Sequence, residues 1–428
     1  MATQLDRLYD TLATVSAHRG GPGRLATRAA DLLVRHPPVQ ADQTNDQVLA
    51  LLNATPGLES LAVVEETRPI GLINRHIFME AYAKPFAREI FGRRSCIAWM
   101  DKAPLVAEAA TPLETLVQRA VDTGAKALKD GFIITSGGAY AGLGGGFALL
   151  EAISAVEAEK TRQLLESIQY ASRIQRSYLH ASDEALASAG LDHALLWEPR
   201  DVVGGDCYFV RRIEGGLFAA VLDCTGHGVP GAFMTLIALS FLEAAFAAPG
   251  AGRDPGEVLT ALNQAIKRVL GQTAVEGSED GELHRSDDGL DGACLFLPAG
   301  GGELGFAGAR IPLLVVPPGQ AAGEVVEAEK ASVGYLDTPA DRRWTTRRVA
   351  VAPGTLLAIA TDGVIDQLGG PKRIAHGRTR LLALLGEHRE GGAREVAARF
   401  AEAYHAWQGA ELRRDDVALL LLRTGGRP

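Results

Sequence analysis

Four aspartates in the C-terminal half of the chain occupy the same kind of place. Asp206 follows Gly204-Gly205, and Asp223 ends the apolar run Phe218-Ala219-Ala220-Val221-Leu222. Asp362 follows the run from Leu356 to Thr361 and precedes Gly363, while Asp415 opens, with Asp416, the run Val417-Ala418-Leu419-Leu420. Short apolar runs beside glycine or polar pairs read as strands entering turns. A strand end fixes the direction of a carboxylate, and several carboxylates converging on one point repel each other unless a cation lies between them. The pattern therefore points to a metal, and hard oxygen ligands without His or Cys partners favour Mg2+ or Mn2+ over zinc. The four cysteines (Cys96, Cys207, Cys224, Cys294) are widely separated, which argues against a disulfide framework or a thiolate zinc site and for a reducing compartment.

The elements that must position these aspartates can be read around them. Strands are expected at Leu217 to Asp223, Ala293 to Leu297, Leu304 to Phe306, Leu313 to Val316, Thr355 to Ala360 and Val417 to Leu422, with helices at Gly231 to Ala247 and Pro255 to Leu270. That mixture is α+β with a largely antiparallel pair of sheets. The acidic, glycine-containing stretch Glu276 to Asp291 reads as a mobile surface loop. Upstream, Ile153 to Leu179 contains neither Gly nor Pro, so one long helix is expected. Its stripe Leu164, Ile168, Ala171, Ile174 and Tyr178 fits either a two-stranded coiled coil or a helix packed on its own domain.

Further upstream, a βαββα-like unit occurs twice. Pro38-Val39-Gln40, a helix from Asn45, Leu61 to Val64, Ile70 to Ile73 and a helix from His76 form one copy. Pro104-Leu105-Val106, a helix from Thr111, Gly131 to Thr135, Tyr140 to Leu143 and a helix from Phe147 form the other. The glycines from Gly142 to Gly146 suggest turn chemistry more than a phosphate cradle. A length of 428 residues with 47% hydrophobic residues supports about two to four globular domains. The net charge of −9 argues against general nucleic-acid binding, and the absence of a leader or a spanning apolar run gives a cytoplasmic, membrane-free expectation.

Taken together, Glu198-Pro199-Arg200-Asp201-Val202-Val203-Gly204-Gly205-Asp206, Val221-Leu222-Asp223-Cys224-Thr225-Gly226-His227-Gly228-Val229-Pro230-Gly231-Ala232, Thr361-Asp362-Gly363 and Arg414-Asp415-Asp416-Val417-Ala418 resemble the motifs of the PPM protein phosphatases, in their SpoIIE-like branch. The segment Glu166 to Gln175 is similar to the linker helix that enters such domains. The resemblance implies an αββα sandwich with a dinuclear Mn2+ or Mg2+ site. By that resemblance Asp223 would bridge the two ions, Asp362 and Asp415 would hold one, Asp206 would support the other directly or through water, and the Cys224 carbonyl would complete its shell. It implies an activated water attacking phosphoserine or phosphothreonine. The expected substrate is a phosphorylated anti-sigma-factor-antagonist-like protein in a partner-switching system.

Arg200 is a candidate phosphate contact, as easily a surface ion pair. His227 is a possible proton donor, although its neighbours favour a turn-and-cap role, and Asp291 and Asp366 either touch a further ion or cap turns. The duplicated unit resembles a CBS-domain pair. Asn74 and Ile77, then Gly145 and Ala148, stand where that family places its ribose-binding residues, so the ribose carboxylate is absent from both copies. The expected organisation is an N-terminal helical segment (1–24), a CBS-like sensory pair (25–154), a linker helix that forms a homodimer (155–185) and a phosphatase domain (186–428). The competing reading is a catalytically silent scaffold that binds the phosphorylated partner. A diguanylate cyclase is set aside, because Cys207-Tyr208 follow Gly204-Gly205-Asp206 where an acidic residue and Phe are required.

Overall fold

The computed structural model describes residues 26–247, 252–272 and 286–425. The expected helical segment 1–24 and the part of the acidic stretch before residue 286 lie outside them. The chain divides into two compact units, Met1–Leu164 and Leu165–Pro428.

The first unit contains the duplication. Strands Val39–Gln40, Ser60–Glu65 and Arg68–Asn74 form one sheet, and Leu33–Val34, Ala139–Gly144, Phe132–Ser136 and Val106–Glu108 form the other. In each copy the first strand runs parallel to the second, and the second pairs antiparallel with the third through a hairpin. Ala62 and Leu72 of one copy share a buried cluster with Ile133 and Leu143 of the other, which are the same positions of the repeat. The opening strand of the second copy lies at Val106–Glu108, slightly beyond the expected Pro104-Leu105-Val106. The glycines there serve close packing: a Cβ on Gly144 would strike the Phe132 ring at 2.1 Å, and one on Gly146 the Leu128 carbonyl at 1.8 Å.

The second unit is a four-layer αββα sandwich. Its first sheet runs in the order Arg347–Val351, Gly302–Ala309, Leu290–Pro298, Gly216–Cys224, Asp206–Ile213, and its second in the order Glu324–Val326, Leu313–Val316, Leu356–Ala360, Val417–Arg423, Asp192–Glu198. All pairings are antiparallel. Alternation along the strands builds three apolar layers. Leu217, Ala219 and Val221 meet Leu357, Ile359 and Leu420 between the sheets. Phe218, Ala220 and Leu222 face Leu239 and Leu262, from helices Gly228–Ala245 and Pro255–Val269. Leu356, Leu419 and Leu421 face Leu381 and Phe400, from helices Arg378–Glu387 and Ala393–Gln408. Among the described residues, Gly228–Ala245 is the single helix long and apolar enough to cross a membrane by length and composition.

The long helix is Gly146–Ser188, 43 residues, extending past the expected Ile153 to Leu179 at both ends. From Leu165 onward its buried positions are Ser172, Gln175, Leu179, Ser182 and Leu186, alternately three and four residues apart. Of the expected apolar stripe, Ile168 and Ala171 are half-buried, while Leu164 is 65%, Ile174 38% and Tyr178 40% exposed. Polar groups carry much of the packed face: Val210 N–H donates to Ser182 Oγ at 3.0 Å, and Gln175 is 1% exposed.

Candidate metal centre

Strand register places three carboxylates in a row across the first sheet. Asp206 stands opposite Asp223, and Asp223 opposite Asp291. Asp291 therefore belongs to strand Leu290–Pro298 and not to the acidic loop expected to end there. The second sheet ends at the same rim, where Asp362 opens the short helix Asp362–Asp366 just past strand Leu356–Ala360, and Asp415 and Asp416 precede strand Val417–Arg423.

Thr361 joins the two sheets. Its hydroxyl donates to Asp206 Oδ2 at 2.7 Å and accepts from the Ala418 N–H at 2.9 Å, while its own N–H donates to the Ala418 carbonyl at 3.0 Å. Asp416, which the sequence reading passed over in favour of Asp415, is 2% exposed. Its Oδ1 accepts from the Arg200 N–H at 2.6 Å and its Oδ2 from the Gly205 N–H at 2.5 Å, so it pins the turn before Asp206. The glycines are required by these approaches: a Cβ on Gly204 would meet Asp416 Oδ1 at 2.7 Å, and one on Gly363 the Asp416 carbonyl at 1.8 Å.

The carboxylates are held against their own charge. Burial first, opposed by the Thr361 bond, and then the charges of Asp416, Asp362 and Asp415 push Asp206 well above its ordinary range. Asp223 is pushed up by burial and then by Asp206, Asp362, Asp415 and Asp291. Asp362 keeps an open face to solvent, yet partial desolvation and then Asp415 raise it, and it lies within hydrogen-bonding reach of Asp223. Burial raises Asp291 too, with Ser332 and Arg310 opposing. Two carboxylates within reach of each other require a shared proton or a cation. An all-oxygen donor set with this uncompensated charge fits divalent Mg2+ or Mn2+. Among the described residues no three Asp, Glu, His or Cys side chains are gathered at ligand spacing.

The remaining sequence candidates have definite places. Cys224 is buried, its N–H donates to the Gly205 carbonyl at 3.1 Å, and its thiol, hydrogen-bonded with Cys207 and buried, is pushed well up. A Cβ on Gly205 would lie 2.7 Å from the Cys224 carbonyl oxygen, which places that oxygen beside the Asp206 turn. The Arg200 guanidinium donates to the Arg414 carbonyl at 3.1 Å. His227 is the N-cap residue of helix Gly228–Ala245, but its side chain makes no cap bond; its Nδ1 lies 2.9 Å from Asp201 Oδ2. Asp366 is exposed at the end of its short helix.

Beside the row lies a cavity of about 230 Å³, lined by Asp223, Asp291 and Asp362 together with Arg310, Ile365 and Arg378. Neither arginine belongs to a local motif. Arg310 follows strand Gly302–Ala309, bridges to Gly292 beside Asp291, and has φ +63°. That left-handed conformation costs a non-glycine residue on the order of 1 kcal/mol.

Comparison with known proteins agrees with this architecture. The family model for stage II sporulation protein E (SpoIIE) matches residues 213–425, which include Asp223, Asp362 and Asp415 and begin just after Asp206. The SiaA-PP2C domain of Pseudomonas aeruginosa is similar at 31% identity with a TM-score of 0.54, over 62% of this chain and 99% of that one. The RsbU and RsbW domains of Rv1364c from Mycobacterium tuberculosis are 20% identical with a TM-score of 0.43, over 55% of this chain and 60% of that one. For the PP2C phosphatase domain and regulatory-domain fragment of SpoIIE from Bacillus subtilis the values are 14% and 0.41, over 54% and 63%. No curated protein sequence matches the chain. Nearly the whole Pseudomonas domain is covered at that identity, and the family model spans Asp223, Asp291, Asp362 and Asp415 of the acidic rim, so this chain belongs to the SpoIIE-type PPM family of serine/threonine protein phosphatases.

Proposed function

We propose that the chain removes phosphate from phosphoserine or phosphothreonine of a partner-switching regulator, an anti-sigma-factor-antagonist-like protein, at a centre holding two Mn2+ or Mg2+ ions. The observation that carries this reading is the register row Asp206, Asp223 and Asp291 facing Asp362 and Asp415 across one rim. Asp223, central in the row, would be shared by both ions; Asp362 and Asp415 would hold one, and Asp206 and the Cys224 carbonyl the other. Such ions supply Lewis-acid polarisation of the phosphoryl group and an acidified water at neutral pH. The chain's own contribution is rigidity. Thr361 prevents Asp206 from turning away, and Asp416 clamps the Gly204-Gly205 turn to the opposite sheet. Arg200, anchored by Arg414, remains a candidate for contact with the phosphoprotein outside the cavity.

Regulation is assigned to the duplicated N-terminal unit, read as a CBS-like sensory pair in a cytoplasmic protein. Two observations support it. The unit carries an open cleft of about 900 Å³ lined by Glu65, Arg68, Glu108, Thr111, Arg119 and Thr135. The exposed stripe Leu164, Ile174 and Tyr178 on the long helix suits pairing with a second copy. The deciding experiment is Mn2+-dependent phosphate release from a phosphoserine protein and from an aryl phosphate. Activity in the wild type, lost in Asp223→Ala and Asp362→Ala, supports the reading. A folded, Mn2+-binding wild type that releases no phosphate from either substrate is either autoinhibited or a scaffold, and removal of the residues before Leu191 separates the two, since only the autoinhibited enzyme gains activity.

A further inference from the structure

The cavity beside the metal centre has an acidic floor, and an acidic floor repels a phosphate dianion. Two guanidinium groups line it, and they are held differently. Arg378, the first residue of helix Arg378–Glu387, is paired with Glu327 at 3.3 Å. Arg310 is held loosely: its Nε lies 3.8 Å from Asp291 Oδ2, beyond hydrogen-bond distance, its Nη1 reaches Ser332 Oγ only at 3.4 Å, and its side chain is 60% exposed. Its backbone, by contrast, is fixed. The Arg310 N–H donates to the Glu329 carbonyl at 2.8 Å, and the residue bridges to Gly292, next to Asp291 in the carboxylate row. A left-handed φ of +63° is where glycine is ordinarily found, so the fold carries an unfavourable backbone at the position that delivers this guanidinium.

We propose that Arg310 is the phosphoryl-binding residue of the cavity, its planar fork turning from Asp291 to take two oxygens of the substrate phosphate, with Arg378 remaining on Glu327. The inference rests on the phosphatase reading for its substrate. Arginine suits the task because two of its N–H groups match two phosphoryl oxygens and because it stays charged at every working pH. The loose pairing with Asp291 means that little is lost when the guanidinium turns.

The test is direct binding of inorganic phosphate to the full chain in the presence of Mn2+, measured by titration calorimetry, for wild type, Arg310→Gly and Arg378→Ala. Arg310→Gly removes the fork and suits the left-handed backbone. The expected result is a phosphate affinity at least tenfold weaker, Mn2+ affinity within twofold of wild type, and a thermal midpoint equal to or above that of wild type. Arg378→Ala is expected to change phosphate affinity less than threefold. Should Arg310→Gly fail to fold, Arg310→Gln takes its place with the same expected loss. Unchanged phosphate affinity on losing Arg310, a larger loss from Arg378→Ala, or no phosphate binding by the Mn2+-loaded wild type overturns the proposal. Because phosphate binding is read without turnover, a wild type that binds phosphate through Arg310 but hydrolyses nothing would remove the phosphatase reading and leave this one standing.

Discussion

The two sheets of the second unit end at one rim but present their carboxylates differently. On the first sheet, Asp206 and Asp223 lie within paired strands, and Asp206 is 2% exposed. On the second, Asp362 begins a five-residue helix with an open face to solvent, and Asp415 is half-buried beside the strand start. The first side is a fixed, desolvated bed of charge. The second can adjust, because its carboxylates stand beyond the last ladder bonds. This division puts the larger share of the electrostatic cost on the first sheet, where Asp206 and Asp223 are raised well above their ordinary range, and leaves the second to close on whatever the bed attracts.

The largest expected effect comes from the centre of the bed. Asp223→Ala should lower turnover on the order of 10³-fold and abolish the rise in thermal midpoint produced by Mn2+. In chelator the sign reverses, because removing one of several repelling charges stabilises the metal-free fold, and Asp223→Asn should melt higher than wild type. If Asp362→Ala costs more than Asp223→Ala in both assays, the assignment of roles to the two rims is inverted.

The metal-free chain should also show the strain as a pH dependence. The folded-state values of Asp206 and Asp223 are raised above their unfolded values, so the folded protein binds more protons. Stability is therefore greatest below the ordinary carboxylate range and declines as pH rises through the raised values. Thermal midpoints measured in chelator from about pH 4 upward should fall, and Asp206→Asn should flatten the slope. Carboxylates such as Glu198 are lowered and act with the opposite sign, so the readout is the difference between wild type and Asp206→Asn. A difference that does not change over this interval would show that the bed is not under charge strain. The stitch between the rims ranks next. Thr361→Val leaves Asp206 Oδ2 without its donor and the buried Ala418 N–H without its acceptor, and should cost about 1–3 kcal/mol by denaturant unfolding.

How much of this was legible in sequence depended on whether the signal was local. Asp206, Asp223, Asp362 and Asp415 each stand where an apolar run meets a turn, and the same runs read as α+β with a largely antiparallel pair of sheets, whereas the αββα layering was implied only by the family resemblance. Asp291 was named only as a ligand of a further ion or a turn cap, because the acidic residues before it made its strand start look like the end of a loop. Asp416 is indistinguishable from Asp415 by local text, and only the fold shows that its carboxylate reaches Arg200 and Gly205, more than 200 positions away. Arg310 depends on register with Gly292 and on a left-handed backbone, neither of which leaves a pattern. The long helix shows the opposite failure. Hydrophobic spacing selected Leu164, Ile168, Ala171, Ile174 and Tyr178, whereas the buried face is partly Ser172, Gln175 and Ser182, of which Gln175 and Ser182 find buried polar partners.

That helix allows the smaller tests, one on each face. Gln175 reaches the bed directly: its Nε2 donates to the Gly204 carbonyl at 2.7 Å and to Thr235 Oγ1 at 3.0 Å, and its Oε1 accepts from the Gly204 N–H. Gln175→Leu keeps the volume but strands these buried groups, and should cost about 1–3 kcal/mol and weaken Mn2+ binding through the displaced Gly204-Gly205 turn. Unaltered Mn2+ affinity in a destabilised variant would confine Gln175 to packing.

The exposed face should behave otherwise. Ile174→Glu and Tyr178→Glu remove apolar surface already open to solvent, so each should change the stability of the single chain by no more than about 0.5 kcal/mol. The informative readout is assembly and basal activity together. If the stripe pairs with a second copy, sedimentation of the double variant should shift from dimer to monomer and Mn2+-dependent phosphate release should change with it, while chelator-state unfolding stays within that margin. Unchanged mass and unchanged turnover would leave the stripe with no part in pairing.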